Sequence, residues 1–200
     1  MAGDRVGRRI DLLARDRVRL PRDVALRELR HDIVRASYIE GEFNLSGGLR
    51  REYYLDKYLF ETRPALLRRV ARFMGELVPR TTDRLAAPAL GAVALGTAVS
   101  LELGLPLVIV RPEVEAHPRR ALKGELYPGE TLTLIEDVIV TGTRALSAVK
   151  RIAEAEARVG TVISVLDRDE GARERFGDAS INYKYLFEPG DLGIDGGRHS

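Results

Sequence analysis

Apolar residues recur at helical spacing over residues 22–38, RDVALRELRHDIVRASY, where Ala25, Leu26, Leu29, Ile33 and Val34 mark one face and Pro21 suits a first turn. The next stretch, FNLSGGLRREYYLDKYLF, sets Ser-Gly-Gly between two aromatic and apolar segments and predicts a hairpin or a looped pair of short strands. A second helical stripe, Leu66, Leu67, Val70, Phe73, Met74 and Leu77, follows the start signal Thr62-Arg63-Pro64 and stops at Pro79.

Beyond Pro79 the pattern alternates. Short apolar runs, RLAAP, LPLVIV, TLTLIEDVIV, GTVISVLD and INYKYLF, are interleaved with the helical patterns LGAVALGTAVSLELG and RALSAVKRIAEAEA. Unbroken apolar strands alternating with helices predict an α/β domain, a central and mostly parallel sheet flanked by helices. Ligands of such sheets bind beyond the carboxyl ends of the strands. We expect an N-terminal helix and hood segment over 1–60, the core over 61–190 and a flexible tail over 191–200. The polar segment 111–124, RPEVEAHPRRALKG, is fourteen residues long, against about two to six for connections in such units, and is expected to be functional or mobile.

Composition narrows the chemistry. The 200 residues include no cysteine, which excludes disulfides, thiolate catalysis and cysteine-based metal sites, and the three histidines, His31, His117 and His199, are too far apart for a local metal motif. No apolar stretch approaches the roughly 18 to 20 residues that span a bilayer, and the first residues lack a signal-peptide pattern, so the expected address is cytoplasmic. Net charge is +2, yet only Lys57, Lys123, Lys150 and Lys184 are lysines and the other basic residues are arginines. Arginine forks suit phosphate oxygens, although a solvated arginine surface explains most of them equally well. Neither a dense basic stripe nor a helix-turn-helix pattern is present, so no nucleic-acid partner is expected.

The chemistry concentrates in TLTLIEDVIVTGTRAL, residues 131–146. Glu136 and Asp137 fall where the strand is expected to give way to a turn, and Thr141-Gly142-Thr143 where the next helix begins. Backbone N–H groups at a helix start cradle anions, and glycine admits a phosphate closely. Paired carboxylates beside them can accept hydrogen bonds from hydroxyls, so a sugar phosphate would satisfy both. Read by spacing alone, the acids could equally close a strand and cap a helix. Neither a Walker sequence nor Gly-x-Gly-x-x-Gly after a strand occurs, which removes the main support for ATP hydrolysis or dinucleotide binding.

LTLIED followed by VIVTGTRAL resembles the phosphoribosyl pyrophosphate (PRPP) motif of the type I phosphoribosyltransferases. The resemblance implies that fold, with Glu136 and Asp137 on the ribose hydroxyls and Thr141, Gly142, Thr143 and Arg144 on the 5-phosphate. From about residue 30 to 187 the chain resembles the orotate branch: FNLSGGLRREYYLDKYLFETRPALL is similar to its N-terminal segment, RPEVEAH to the start of its catalytic loop and VLDRDEG to its Asp-Arg-x-Glu segment. This implies transfer of ribose 5-phosphate from PRPP to orotate with release of pyrophosphate, Mg2+ held mainly by substrate, and a homodimer with shared active sites. It further implies Arg168 on the orotate carboxylate, Tyr53 and Tyr54 along the base, Lys57 near PRPP, and Arg111, His117, Lys123 and Asp137 as catalytic groups.

The chain departs from the orotate pattern in the loop, where Arg-Lys-x-x-Lys-x-His is expected and Arg111-Pro112-Glu113-Val114-Glu115-Ala116-His117 stands. Both lysine positions are replaced, and losing one transition-state donor costs about 2.7 to 4 kcal/mol. Arg119, Arg120 or Lys123 would have to substitute over the pyrophosphate. Val140 stands where the family usually has threonine, and Pro88-Ala89-Leu90, in the loop expected to hold pyrophosphate through backbone amides, lacks a frequent acid. Transfer onto another base, or a catalytically weakened binder of PRPP or nucleotide acting as a regulator, are the alternatives.

Overall fold

The computed structural model describes residues 20–44, 50–112 and 121–192. Its contacts divide the chain into two compact units, Met1–Arg69 and Val70–Ser200.

In the first unit, α1 (Arg22–Ser37) begins after Pro21, whose carbonyl accepts the Ala25 N–H at 2.9 Å. It buries Ala25, Leu29, Ile33 and Ala36, a stripe at spacings of four and three that is one helical face. Asp32 on the flank of that stripe takes a 2.6 Å ion pair from Arg69. The expected hairpin is present as β1 (Tyr38–Asn44) and β2 (Arg50–Leu55), antiparallel, with an irregularity between Glu40 and Phe43. Asp56 accepts the Tyr58 N–H and opens the short α2 (Tyr58–Glu61). The helix α3 (Pro64–Gly75) starts on proline, whose missing N–H costs nothing there, and contains the division between the units.

The second unit is built on β3 (Arg84–Pro88), β4 (Leu107–Val110), β5 (Leu122–Lys123), β6 (Thr131–Ile139), β7 (Arg158–Asp167) and β8 (Asn182–Phe187), in spatial order β5-β4-β3-β6-β7-β8. All neighbours run parallel except the β4–β5 pair. Helices α4 (Val93–Leu103), α5 (Thr143–Glu154) and α6 (Ala172–Asp178) connect them. The central strands are covered on both faces: every residue of β3 is buried, and Leu132, Leu134 and Val162 are completely shielded. Gly96 lets α4 lie close on β3, since a Cβ there would sit 2.6 Å from the Ala87 Cβ.

The chain goes from β3 to β4 on one side and then crosses to β6 on the other, so the sheet order reverses between β3 and β6. That reversal opens a crevice at the carboxyl ends of these two strands. Their amino ends are stitched together instead: Asp83 exchanges backbone and side-chain hydrogen bonds with Thr131 at 2.8 Å, and Arg84 forks onto Glu130 at 2.9 and 3.0 Å.

Two expectations need correction. The strand carrying the paired acids does not end at Glu136 but runs on to Ile139, because Glu136, Val138 and Ile139 keep their places opposite Ser164, Leu166 and Asp167 of β7. The segment 111–124 is not polar loop throughout, since Leu122 and Lys123 add an edge strand to β4. No helix among the described residues is long and apolar enough to cross a membrane.

Candidate active site

At the carboxyl end of β6 the chain turns through Val140, Thr141 and Gly142 into α5. Gly142 is the residue before the first helical turn, with φ at 78°. A side chain there would also meet the Phe176 ring at 3.1 Å, so both conformation and space require glycine. No side chain caps this helix start, whose first-turn N–H groups lack intrahelical partners, and a depression of about 120 Å³ beside it is lined by Glu136, Thr141, Gly142, Thr143 and Arg144 among others. A twelve-residue helix starting at a small concavity lined by an arginine and two threonines has the chemistry to accept an anion.

The paired acids are separated by the pleat. Adjacent residues of a strand face opposite sides of the sheet. Glu136, 5% exposed, lines the depression; Asp137, 2% exposed, is not among its lining residues, and its carboxylate accepts the N–H of Val138. Carboxylates this buried persist only with donors in reach, and a hydroxyl-bearing ligand in the depression would meet Glu136 first.

Arg168 follows β7 directly, and its N–H donates to the carbonyl of Ile139 at 2.8 Å, which fixes it beside the end of β6. Its guanidinium lies 3.8 Å from Glu170. Behind it, fully buried Asp167 accepts the Asp169 N–H at 3.0 Å and the Arg173 Nε at 2.7 Å, while Arg173 also reaches Glu188 at 2.6 Å and stacks 4.6 Å from the Tyr185 ring centroid. Hydrogen bonding to Asp167 and Glu188 holds the Arg173 guanidinium above its ordinary value. Burial pushes the Tyr183 phenol up as well, partly offset by its hydrogen bond to Ser164 at 2.8 Å.

A second depression, about 350 Å³, opens where β3 and β4 end. Pro88, Ala89, Arg111, Arg144, Ser147 and Arg151 contribute to it, so three arginines line one concavity. Arg144 lines both depressions. The Ala89 N–H donates to the Val110 carbonyl at 2.7 Å, which removes that amide from the expected pyrophosphate-binding set.

The structure therefore brings together Glu136, Thr141, Gly142, Thr143 and Arg144, with Arg111 around the second depression. Lys123 is exposed on β5, its Cα opposite that of Ile109. Tyr53 and Tyr54 are on β2, and Lys57, whose Nζ is 5.2 Å from the Tyr58 ring centroid, precedes α2; all three belong to the first unit. His117, Arg119 and Arg120 lie outside the described residues. Among the described residues no group of three or more His, Asp or Glu side chains is gathered for a metal ion.

Sequence reasoning missed Arg151 and Arg175. Arg151 stands seven residues after Arg144, two turns along the same helix, a spacing that periodicity could have shown. Arg175 donates to the Thr143 hydroxyl at 3.0 Å from a seven-residue helix too short to leave a periodic signal.

A parallel sheet that reverses at an acid-bearing strand, followed by a glycine-started helix, is the layout of the type I phosphoribosyltransferases. Orotate phosphoribosyltransferase of Mycobacterium tuberculosis H37Rv superposes with a TM-score of 0.76 at 28% identity, over 84% of this chain and 99% of that one. The same enzyme in complex with PRPP gives 0.72 at 27% identity over 84% and 99%. In sequence, orotate phosphoribosyltransferase of Natronomonas pharaonis is 41% identical over 156 residues, 78% of this chain and 89% of that protein. No family model matches the chain. The chain belongs to the orotate phosphoribosyltransferase family.

Proposed function

We propose that this protein transfers the ribose 5-phosphate of PRPP to orotate and releases pyrophosphate, a step of pyrimidine nucleotide biosynthesis. The observation that carries the reading is the anion seat at the start of α5 with Glu136 on its wall, at the reversal point of the sheet, in a chain 41% identical to a named orotate phosphoribosyltransferase. The 5-phosphate sits against the N–H groups of Gly142 and Thr143, and Glu136 accepts from a ribose hydroxyl. On this reading Asp137 is the second catalytic acid of the motif, its carboxylate accepting the Val138 N–H near the end of β6. The bond from the anomeric carbon to the pyrophosphate oxygen breaks as a ring nitrogen of orotate bonds that carbon, through an oxocarbenium-like state. Arg111, Arg144 and Arg151 supply positive charge where the pyrophosphate departs, which is electrostatic stabilisation in place.

Arg168 forks onto the orotate carboxylate. Magnesium, when bound, neutralises charge on the leaving group and is held mainly by substrate oxygens; Glu136 is the hard oxygen donor this chain offers nearby. His117, Arg119 and Arg120, from the segment after Arg111, and Lys123 of β5 complete the catalytic groups. The working form is a homodimer with shared sites and a cytoplasmic address.

A coupled assay with PRPP, magnesium and a panel of bases tests this directly. Pyrophosphate release with orotate, and at least a roughly tenfold loss of kcat/KM in both Glu136→Gln and Asp137→Asn, is the expected result. Release with a different base alone, or full turnover in both variants, overturns the assignment. PRPP binding without product from any base would leave the weakened-binder reading in its place.

A further inference from the structure

The phosphate seat has a second layer that the motif does not contain. Thr143 and Thr141 place their hydroxyl oxygens 3.0 Å apart on its wall. Behind Thr143, the Arg175 Nη1 donates to the Thr143 Oγ1 at 3.0 Å. Arg175 is held there by the packing of α6 on the turn: the Phe176 ring occupies the space beside Gly142 where a side chain would go, at 3.1 and 3.2 Å, and the Ala172 Cβ follows at 3.6 Å. Phe176 and Ala172 are the buried residues of α6, so this contact is what seats the helix.

We propose that Arg175 is a positioning residue that polarises the two threonine hydroxyls into a directed relay ending on the phosphoryl group of the sugar phosphate; this rests on the reading of the α5 start as the phosphate seat. The direction follows from donor and acceptor inventories. A guanidinium only donates, and an ionised phosphoryl oxygen only accepts. With a lone pair of Thr143 Oγ1 engaged by Arg175, the Thr143 proton is free to point at the Thr141 Oγ1, which leaves the Thr141 proton for the ligand. Arg175 biases this orientation before the anion arrives, and the anion, which only accepts, reinforces it from the other end. Hydrogen bonds in such a chain strengthen one another, and a charged end member strengthens them most. Arg175 itself is exposed, so its charge acting through water is screened and its effect runs through the hydroxyls.

The test separates this arrangement from a simple brace and from general attraction of anions. Calorimetry is run with ribose 5-phosphate, pyrophosphate and orotate on the full chain, on Arg175→Met, Arg175→Lys and Thr143→Val, and on the double variant Arg175→Met with Thr143→Val. Arg175→Met is expected to weaken ribose 5-phosphate about fivefold to tenfold, with pyrophosphate and orotate changed less than about twofold, and Arg175→Lys to recover part of the loss. In the Thr143→Val background, Arg175→Met should add less than about twofold, because the relay is already cut. KM for PRPP should rise in Arg175→Met while KM for orotate holds, and thermal unfolding should show the variants folded.

Equal weakening of ribose 5-phosphate and pyrophosphate, unchanged ribose 5-phosphate affinity, or full additivity with Thr143→Val would each overturn the relay. Failure of the parent chain to bind either ribose 5-phosphate or PRPP would withdraw the phosphate seat itself, and the relay with it. That outcome is told apart from the others because it appears before any substitution is made.

Discussion

Arg168 shows how a single residue is fixed in place by groups from separate elements. Its backbone is tied to Ile139, and the residue before it, Asp167, is gripped by Arg173, which Glu188 holds from the far side. If Arg168 meets the orotate carboxylate, Arg168→Ala should raise KM for orotate about 10- to 100-fold and leave KM for PRPP nearly unchanged in initial-rate kinetics. A matched rise in both constants would place Arg168 elsewhere. The residue types of the site were legible in the chain: adjacent acids, Thr-Gly-Thr and Asp-Arg each announce their chemistry. Which atoms meet was not, because Asp167 with Arg173, and Thr143 with Arg175, are brought together by the packing of separate elements. The facing of Glu136 and Asp137 was hidden for another reason. It depends on where β6 stops, and two acids look like an ending whereas pairing with β7 carries the strand through them.

At the scale of elements, the turn between β6 and α5 works because α6 presses on it. Gly142→Ala would force a positive φ on a residue with a Cβ and push that atom against Phe176, a cost of about 1 to 3 kcal/mol. We expect the variant to melt several degrees lower and to lose ribose 5-phosphate affinity, measured by thermal unfolding and calorimetry. An unchanged melting temperature would mean that the turn relaxes freely. Long elements were predictable from pattern: α1, α3, α5 and the strands of the second unit other than β5 match the apolar periodicities closely. The short α6 was not, since two buried residues, Ala172 and Phe176, do not define a period. The edge strand β5 was equally hidden, two residues at the end of a polar segment.

Across the second unit the sheet divides its duties by end. The carboxyl ends of β3 and β6 carry the depressions, while their amino ends are locked by the fork of Arg84 on Glu130, with the Tyr127 N–H as a further donor at 3.0 Å. The Arg84 hydrogen bonds hold the Glu130 carboxyl below its ordinary value of 4.5, against a smaller opposing effect of burial. A carboxyl lowered in the folded state stabilises it fully above the unfolded value, and that contribution fades as pH falls through the folded value. Glu130→Gln should therefore lower stability by about 1 to 2 kcal/mol at pH 7, with the gap to the parent chain closing below about pH 4.5 in denaturant titrations. A gap that stays constant into acid would show that the pair contributes through shape and not charge. The amphipathic pattern predicted this layered sheet well, but it could not reveal the Arg84–Glu130 lock, whose partners lie 46 residues apart.

Because Arg144 borders both concavities, they are not independent compartments. One guanidinium can serve two tenants fully only when they are joined, so a ligand carrying anionic groups at both ends gains from the shared wall what its severed halves must contest. On the proposed reading, the two severed halves should each loosen the other's hold and leave more readily than the joined substrate.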